Sequence, residues 1–213
     1  MKVTLIGATG FVGSSILKEL IVRGHDVTAV ARNVSQIEKT QGVHPVDADI
    51  MDSDALSKLI QGSDAVISAY NAGWSNPNIY EDYSHGAKAI QEATQQSGVK
   101  RLIVIGGAGS LLTADGTRIV DGSGFPASIK PGALAAADYY DVLKKNTELD
   151  WTLFSPAIEL NDEKRRGEYR TDLDHPVLDS NSRSRLSVSD AAIAIVDELE
   201  KPQFIQKRFT AGY

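Results

Sequence analysis

The sequence predicts an α/β fold in which a parallel sheet carries helices on both faces. Three observations predict it. Short apolar, β-branched runs alternate with longer segments in which apolar residues recur every three or four positions. The first junction between the two patterns is a glycine turn, Gly7-Ala8-Thr9-Gly10-Phe11-Val12-Gly13, set between Val3-Thr4-Leu5-Ile6 and a helical stretch carrying Ile16, Leu17, Leu20 and Ile21. The run Arg101-Leu102-Ile103-Val104-Ile105 is almost wholly apolar, as a strand covered on both faces must be. Strands joined through helices of this length form parallel pairs, with helices on both sides of the sheet.

The glycine turn has a specific chemistry. Gly7 lets the chain leave the strand in a conformation that a Cβ would obstruct. Gly10 allows backbone N–H groups to approach a pyrophosphate, which then lies against the positive end of the helix dipole. Gly13 lets the helix pack closely on the sheet. Strand, turn and helix in this order open a dinucleotide-binding βαβ unit, so Gly7, Thr9, Gly10, Phe11, Val12 and Gly13 are candidate cofactor contacts. The bland alternative is a tight turn with no ligand. The spacing Gly-x-x-Gly-x-x-Gly is one residue longer in its first gap than that of many dehydrogenases.

Composition bounds the rest. The 213 residues suffice for one α/β domain over the whole chain, 1–213, and are too few for two comfortable ones. A formal charge of −6 argues against a nucleic-acid or anionic-membrane surface. No stretch reaches the roughly 20 apolar residues of a membrane span. With no cysteine there are no disulfides, thiolate metal sites or cysteine nucleophiles. The strand begins directly after Met1-Lys2, which leaves no room for a signal peptide, and the expected location is cytoplasmic.

Taken in order, Val27 to Ala31 is a second strand ending at Arg32-Asn33. NAD-preferring sites place an acid near this point, and a cation there accommodates a 2′-phosphate, so Arg32 points to NADP over NAD. A third strand, Val43 to Val46, runs out into Asp47-Ala48-Asp49-Ile50, where Asp49 and Ile50 would lie beside the adenine. Asp52 and Asp54 read as caps of the next helix. The fourth strand, residues 64–70, ends in Ser68, Ala69 and Tyr70, whose first two side chains are small enough to admit a ribose. A long helix is expected over residues 80–96. Its His85 has no second His or Cys nearby and reads as a surface or packing residue, so no metal site is expected.

The fifth strand ends at Gly106-Gly107-Ala108-Gly109-Ser110, followed by a glycine-containing loop to Phe125-Pro126 and a helix over 132–146. The sixth strand stops at Ser155-Pro156. A polar segment, 159–185, then reads as an excursion over the strand ends, with short strands at 168–171 and 184–186. Ser187-Val188-Ser189-Asp190 caps a last amphipathic helix through Glu200, and residues 207–213 supply an edge strand. Ligands of such sheets bind beyond the strand C-terminal ends, which here carry Gly7, Arg32, Asp49, Ser68, Gly106 and Pro156 along one rim.

With these stretches in view, the chain resembles the atypical short-chain dehydrogenase/reductases. The resemblance rests on Leu5 to Gly13, Ile103 to Ser110, Leu149 to Pro156 and Ser187 to Asp190, and so spans nearly the whole chain. It is closest to the branch of flavin reductase/biliverdin reductase B-like, NAD(P)H-binding proteins. That resemblance implies a Rossmann-type doubly wound sheet and hydride transfer to a small planar acceptor, such as a flavin, a biliverdin-like compound, a quinone or a carbonyl compound. It also implies a homodimer interface on the long helices after the fourth and fifth strands, as in many members. Nucleotide-sugar epimerases and dehydratases share the glycine motif, but the short stretch after Pro156 leaves little room for their substrate lobe. A non-catalytic NADP(H)-binding regulator is the alternative from another class.

Tyr140 and Lys144 match the family's Tyr-x-x-x-Lys spacing and share a helix face. In that mechanism the lysine holds the ribose and lowers the phenol's pKa, the tyrosine gives a proton to a carbonyl oxygen, and a hydroxyl such as Ser110 orients substrate. The plain alternative is aromatic packing at Tyr139-Tyr140 and a solvated helix end at Lys144-Lys145. A flavin asks instead for stacking and alignment. Trp74, Tyr80, Phe125 and Ile158 are candidates for such a platform, and Arg165 and Arg166 for a flavin phosphate.

Overall fold

A computed structural model describes residues 1–213. The chain alternates β1 (Lys2–Ile6), α1 (Phe11–Val22), β2 (Asp26–Ala31), β3 (Val43–Asp47), α2 (Ser53–Ile60), β4 (Ala65–Ser68), α3 (Ile79–Ser97), β5 (Arg101–Ile105), α4 (Lys130–Leu143) and β6 (Asp150–Ser155). Three short strands follow, β7 (Glu159–Asn161), β8 (Arg170–Asp172) and β9 (Arg185–Ser187), then α5 (Val188–Glu200) and β10 (Lys207–Gly212).

The main sheet has the order β3-β2-β1-β4-β5-β6-β10-β8, parallel throughout except for β8. From β1 the chain builds outward through β2 to β3, then returns to build the other half from β4. The crevice between β1 and β4 is therefore the topological switch point, and it opens at the turn after β1. Side-chain alternation along each strand divides the core. Val3, Leu5 and Ile67 pack under α1 and α5 with Ile16, Leu20 and Ile195. Ile6, Val66 and Leu102 pack on the opposite face with Leu56, Ile90 and Leu143 of α2, α3 and α4. Each such buried Leu or Ile is worth about 1.5–3 kcal/mol relative to exposure.

Two predicted caps form as expected: Asp52 accepts from the Ala55 amide and Ser187 from the Asp190 amide, each at 3.0 Å. Helix α4 starts earlier than predicted because Pro131 sits in its first turn, where a missing N–H costs nothing. Strand β4 stops at Ser68, since the chain beyond it bends under α3. Residues 207–213 do form a strand, but not the edge. β10 lies inside the sheet, parallel to β6, and β8 covers its outer side in antiparallel register.

The polar segment does not simply cross the strand ends. It supplies that edge strand and a separate parallel pair, β7 with β9, of which β7 carried no clear signal in the sequence. Its charges are used locally. Arg165 pairs with Glu19 of α1 at 3.0 Å, and the Arg166 guanidinium lies 3.8 Å from the centre of the Tyr213 ring. Neither arginine lines the two cavities at the strand ends; both side chains are about half exposed and engage Glu19 and Tyr213 instead of a flavin-phosphate position.

Asp190 holds this segment to α5. Its carboxylate accepts from the amides of Arg166 (2.9 Å) and Gly167 (2.8 Å), from Ser187 Oγ and from the Tyr213 hydroxyl. Burial alone would raise this carboxyl, but the bonds from Tyr213, the two amides and Ser187 together hold it below the ordinary carboxylate value. A depressed carboxyl stabilises the fold above its unfolded value, about 3.9, and that contribution is lost as pH falls through the folded value. Asp190→Asn is therefore expected to cost about 2 kcal/mol near neutrality and to flatten the acid limb of a stability–pH curve below about pH 4. Parallel wild-type and variant curves on that limb would refute the role.

Candidate active site

The turn after β1 is shaped by contacts no side chain would permit. Gly7 has φ +80°, and a Cβ there would lie 2.5 Å from the Ala69 carbonyl oxygen. A Cβ on Gly13 would lie 2.0 Å from the Gly7 carbonyl oxygen. The turn is tied to β2 by the amides of Gly7 and Ala8, which both donate to Val30 O. Unlike α2 and α5, α1 has no side-chain cap and no acid in its first turn. The amides of Phe11, Val12 and Gly13 find no acceptor in the chain. Three aimed donors at the positive end of a helix suit a diphosphate. The residues present therefore fit a dinucleotide.

Two cavities open along the rim, of about 950 Å³ and about 560 Å³, and Tyr70 borders both. Gly10, Phe11, Val12, Ala69, Gly106 and Pro156 line the larger. Arg32, Asp49 and Ile50 line the smaller. Gly7, Thr9, Gly13 and Ser68 line neither cavity: Gly13 and Ser68 are buried, and Gly7 and Thr9 are half-buried in the turn. The strand ends thus border two adjoining cavities that share Tyr70.

Tyr70 is held firmly. Its hydroxyl donates to Asp82 O at 3.0 Å, and its ring stacks on Tyr83 with centroids 5.9 Å apart. The ring fits only because α3 carries glycine at position 86, where a Cβ would come within 2.5 Å of it. A glycine inside a long helix costs about 1 kcal/mol against alanine. A glycine retained at that cost is the sequence signal for this close approach, which apolar periodicity does not register.

The larger cavity is walled by Trp74, Phe125 and Ile158, as expected of a platform, together with Ile119 and Ile129, which the sequence did not single out. Tyr80 is not part of it. Its hydroxyl donates to Asp138 at 3.0 Å, joining α3 to α4, and Arg118 pairs with the same carboxylate to pin the long loop. Helix α4 presents Gly132, Ala133 and Ala136 to the cavity.

Tyr140 and Lys144 lie further along α4 and do not line either cavity. The Tyr140 ring packs edge-on to Trp151 at 6.3 Å, and the Arg208 guanidinium sits 4.7 Å from its centre. Lys144 lies 4.8 Å over the ring rather than beside the hydroxyl, and pairs with Asp141 at 2.6 Å. Burial raises the Tyr140 phenol; Arg208 and, more weakly, Lys144 oppose it without reversing the direction. Ser110 is buried behind the wall, where its hydroxyl donates to Gly107 O and shares a hydrogen bond with Ser155 Oγ. The structure does not gather these three residues into a constellation at the cavity.

An open parallel sheet with a glycine turn at its switch point defines the class, a Rossmann-type α/β protein. The chain belongs to the NAD(P)H-binding family, whose model matches residues 7–199. It is 34% identical over 213 residues to YwnB of Bacillus subtilis, covering 99% of this chain and 97% of that protein. A candidate epimerase from Bacteroides thetaiotaomicron superposes with a TM-score of 0.93 at 40% identity, covering 100% of this chain and 96% of the other. A candidate NADH-flavin reductase from Streptococcus pneumoniae does so with a TM-score of 0.87 at 34% identity, covering 100% and 99%. Membership brings a nicotinamide dinucleotide and an oxidoreductase or epimerase-like relationship. No helix is long and apolar enough to cross a membrane.

Proposed function

We propose that the protein is an NADPH-dependent reductase of a small planar acceptor, with flavins the leading class. The observation that carries this reading is the wall of the larger cavity. It is largely apolar and aromatic, and it contains no Asp, Glu, Lys, Arg or His. In the family's carbonyl chemistry the proton comes from the Tyr140 phenol, which does not line this wall. A flavin takes hydride directly and needs a dry, flat enclosure. The likeness to a candidate NADH-flavin reductase supports the same choice.

Bound NADPH would supply the hydride. In this reading the amides of Phe11, Val12 and Gly13 hold the diphosphate, Arg32 meets the 2′-phosphate, and Asp49 accepts from the adenine amino group. Ala69 and Gly106 admit the nicotinamide ribose, while Trp74, Phe125 and Ile158 cover the acceptor and exclude water. Cytoplasmic residence, where NADPH is supplied, belongs to the same proposal.

Purified protein incubated with NADPH and FMN, FAD, biliverdin or quinones should show acceptor-dependent loss of NADPH absorbance. A panel without any such loss would overturn the reading and favour a non-catalytic NADP(H)-binding regulator. Tyr140→Phe should leave flavin reduction nearly unchanged, because its hydroxyl is not at the cavity. Arg32→Asp is expected to weaken NADPH roughly 10- to 100-fold, about 1.4–2.7 kcal/mol, with little effect on NADH. Equal loss for both cofactors in calorimetry would refute the role of Arg32.

A further inference from the structure

Tyr83 on α3 is a buried tyrosine with an unusual hydroxyl. The residue is only 4% exposed, and its ring is clamped between Tyr70, stacked at 5.9 Å, and Tyr139, edge-on at 6.5 Å. Neighbouring phenols have partners: Tyr70 donates to Asp82 O and Tyr139 to Gln91 Oε1 at 3.1 Å. The Tyr83 hydroxyl has none in the chain. The polar side-chain atoms sealed from solvent without a partner include His25 Nδ1, Arg101 Nε and Thr210 Oγ1. The Tyr83 oxygen is not among them, so it is not sealed from solvent, and the residue lines the larger cavity.

Of the wall's other polar side chains, Asn71 and Trp74 are solvent-exposed, unlike Tyr83. Thr113 Oγ1 donates to Asp115 at 2.5 Å, and Asn71 Oδ1 accepts from the Gly73 amide at 2.7 Å. A fixed donor with no protein partner, at the edge of an apolar cavity, is free to bond whatever ligand enters there.

We propose that the Tyr83 hydroxyl is the hydrogen-bond donor that orients the acceptor, through the oxygen or nitrogen on which negative charge gathers during reduction. The proposal rests on the reductase reading. Hydride and its electron pair pass from NADPH, which becomes NADP⁺, to the acceptor. The phenol donates a hydrogen bond to the charge that develops and keeps its own proton; solvent supplies the proton that completes the product. Burial pushes the phenol well above its ordinary value, which keeps the donor protonated at physiological pH. A preorganised donor in a water-poor site acts most strongly in the transition state.

Tyr83→Phe retains the ring and the aromatic cluster and removes only the hydroxyl. With NADPH and the best acceptor of the panel above, kcat/KM should fall at least tenfold. The NADPH Kd from calorimetry should stay within twofold, and the melting temperature should hold. Tyr139→Phe, whose hydroxyl faces Gln91, serves as the control and should reduce acceptor at the wild-type rate. If wild type reduces an acceptor and Tyr83→Phe does so equally well, the proposal is overturned while the reductase reading stands. If wild type reduces none of the panel, both fall together.

Discussion

An alanine at position 13 is expected to lower NADPH affinity at least a hundredfold and to reduce stability measurably. Its Cβ would stand 2.0 Å from the Gly7 carbonyl oxygen, 2.9 Å from the Gly7 carbonyl carbon and 3.3 Å from Ala8 Cα. All three are backbone atoms of the turn itself, so no side chain can swing aside. Either α1 lifts from β1 or the turn opens. Both responses move the amides of Phe11, Val12 and Gly13 that are argued to hold the diphosphate. Overpacking of this kind costs about 1–3 kcal/mol in ordinary cores, and a backbone clash lies at the upper end. Gly10→Ala supplies the contrast. Its Cβ would meet only the Gly7 oxygen at 3.4 Å, an ordinary contact, so the fold should persist while the approach of a ligand is blocked. Calorimetry with NADPH and thermal melts of both variants decide the matter. Wild-type affinity in Gly13→Ala would show that the turn is not the phosphate site.

Removing the Glu198 carboxylate is expected to cost about 3–5 kcal/mol, the loss typical of stranding one partner of a buried ion pair. Arg101 reaches Glu198 at 2.7 Å, with side-chain exposures of 10% and 2%. The same carboxylate accepts from Thr152 Oγ1 at 3.0 Å and from the amides of Gln203 and Phe204. It thereby joins β5, β6, the end of α5 and the chain that leads into β10. Burial pulls the Arg101 guanidinium below its usual value, and Glu198 is the chief opposing influence. Glu198→Ala should thus lower the melting temperature by more than about 6 °C in a chain of this size. A paired Arg101→Met, Glu198→Met variant should recover much of that loss, since the desolvation of both charges disappears together. A single variant that melts like wild type would refute the role of the pair.

Arg101 marks the limit of what a local apolar run encodes. The strand Arg101–Ile105 was legible as buried on both faces, yet the apolar run could not say that its first residue is a buried cation. Its counter-charge lies 97 positions away, on a helix whose own periodicity gave no sign of it. Tyr140 and Lys144 are the converse case. Their spacing at the end of α4 is local and puts them on one face, but which part of that face meets the cavity depends on where β6 and β10 place Trp151 and Arg208. Tyr83 and Gly86 carry no local sign of a site beyond lying on a predicted helix. Their meaning comes from Tyr70 folding beneath them.

By itself the sequence determined the strand–helix alternation, the parallel sheet, the glycine turn at the head of α1 and the rim on which Arg32, Asp49, Gly106 and Pro156 assemble. Those features follow from side-chain periodicity, backbone sterics and the handedness of crossovers, all of which act over short stretches. Only the tertiary structure decided that β10 lies inside the sheet, that Arg165 and Arg166 serve the fold, and that Tyr83 rather than Tyr140 faces the cavity. Each of these turns on which distant groups satisfy a buried charge or hydroxyl, and desolvation makes that choice only once the chain has closed around it.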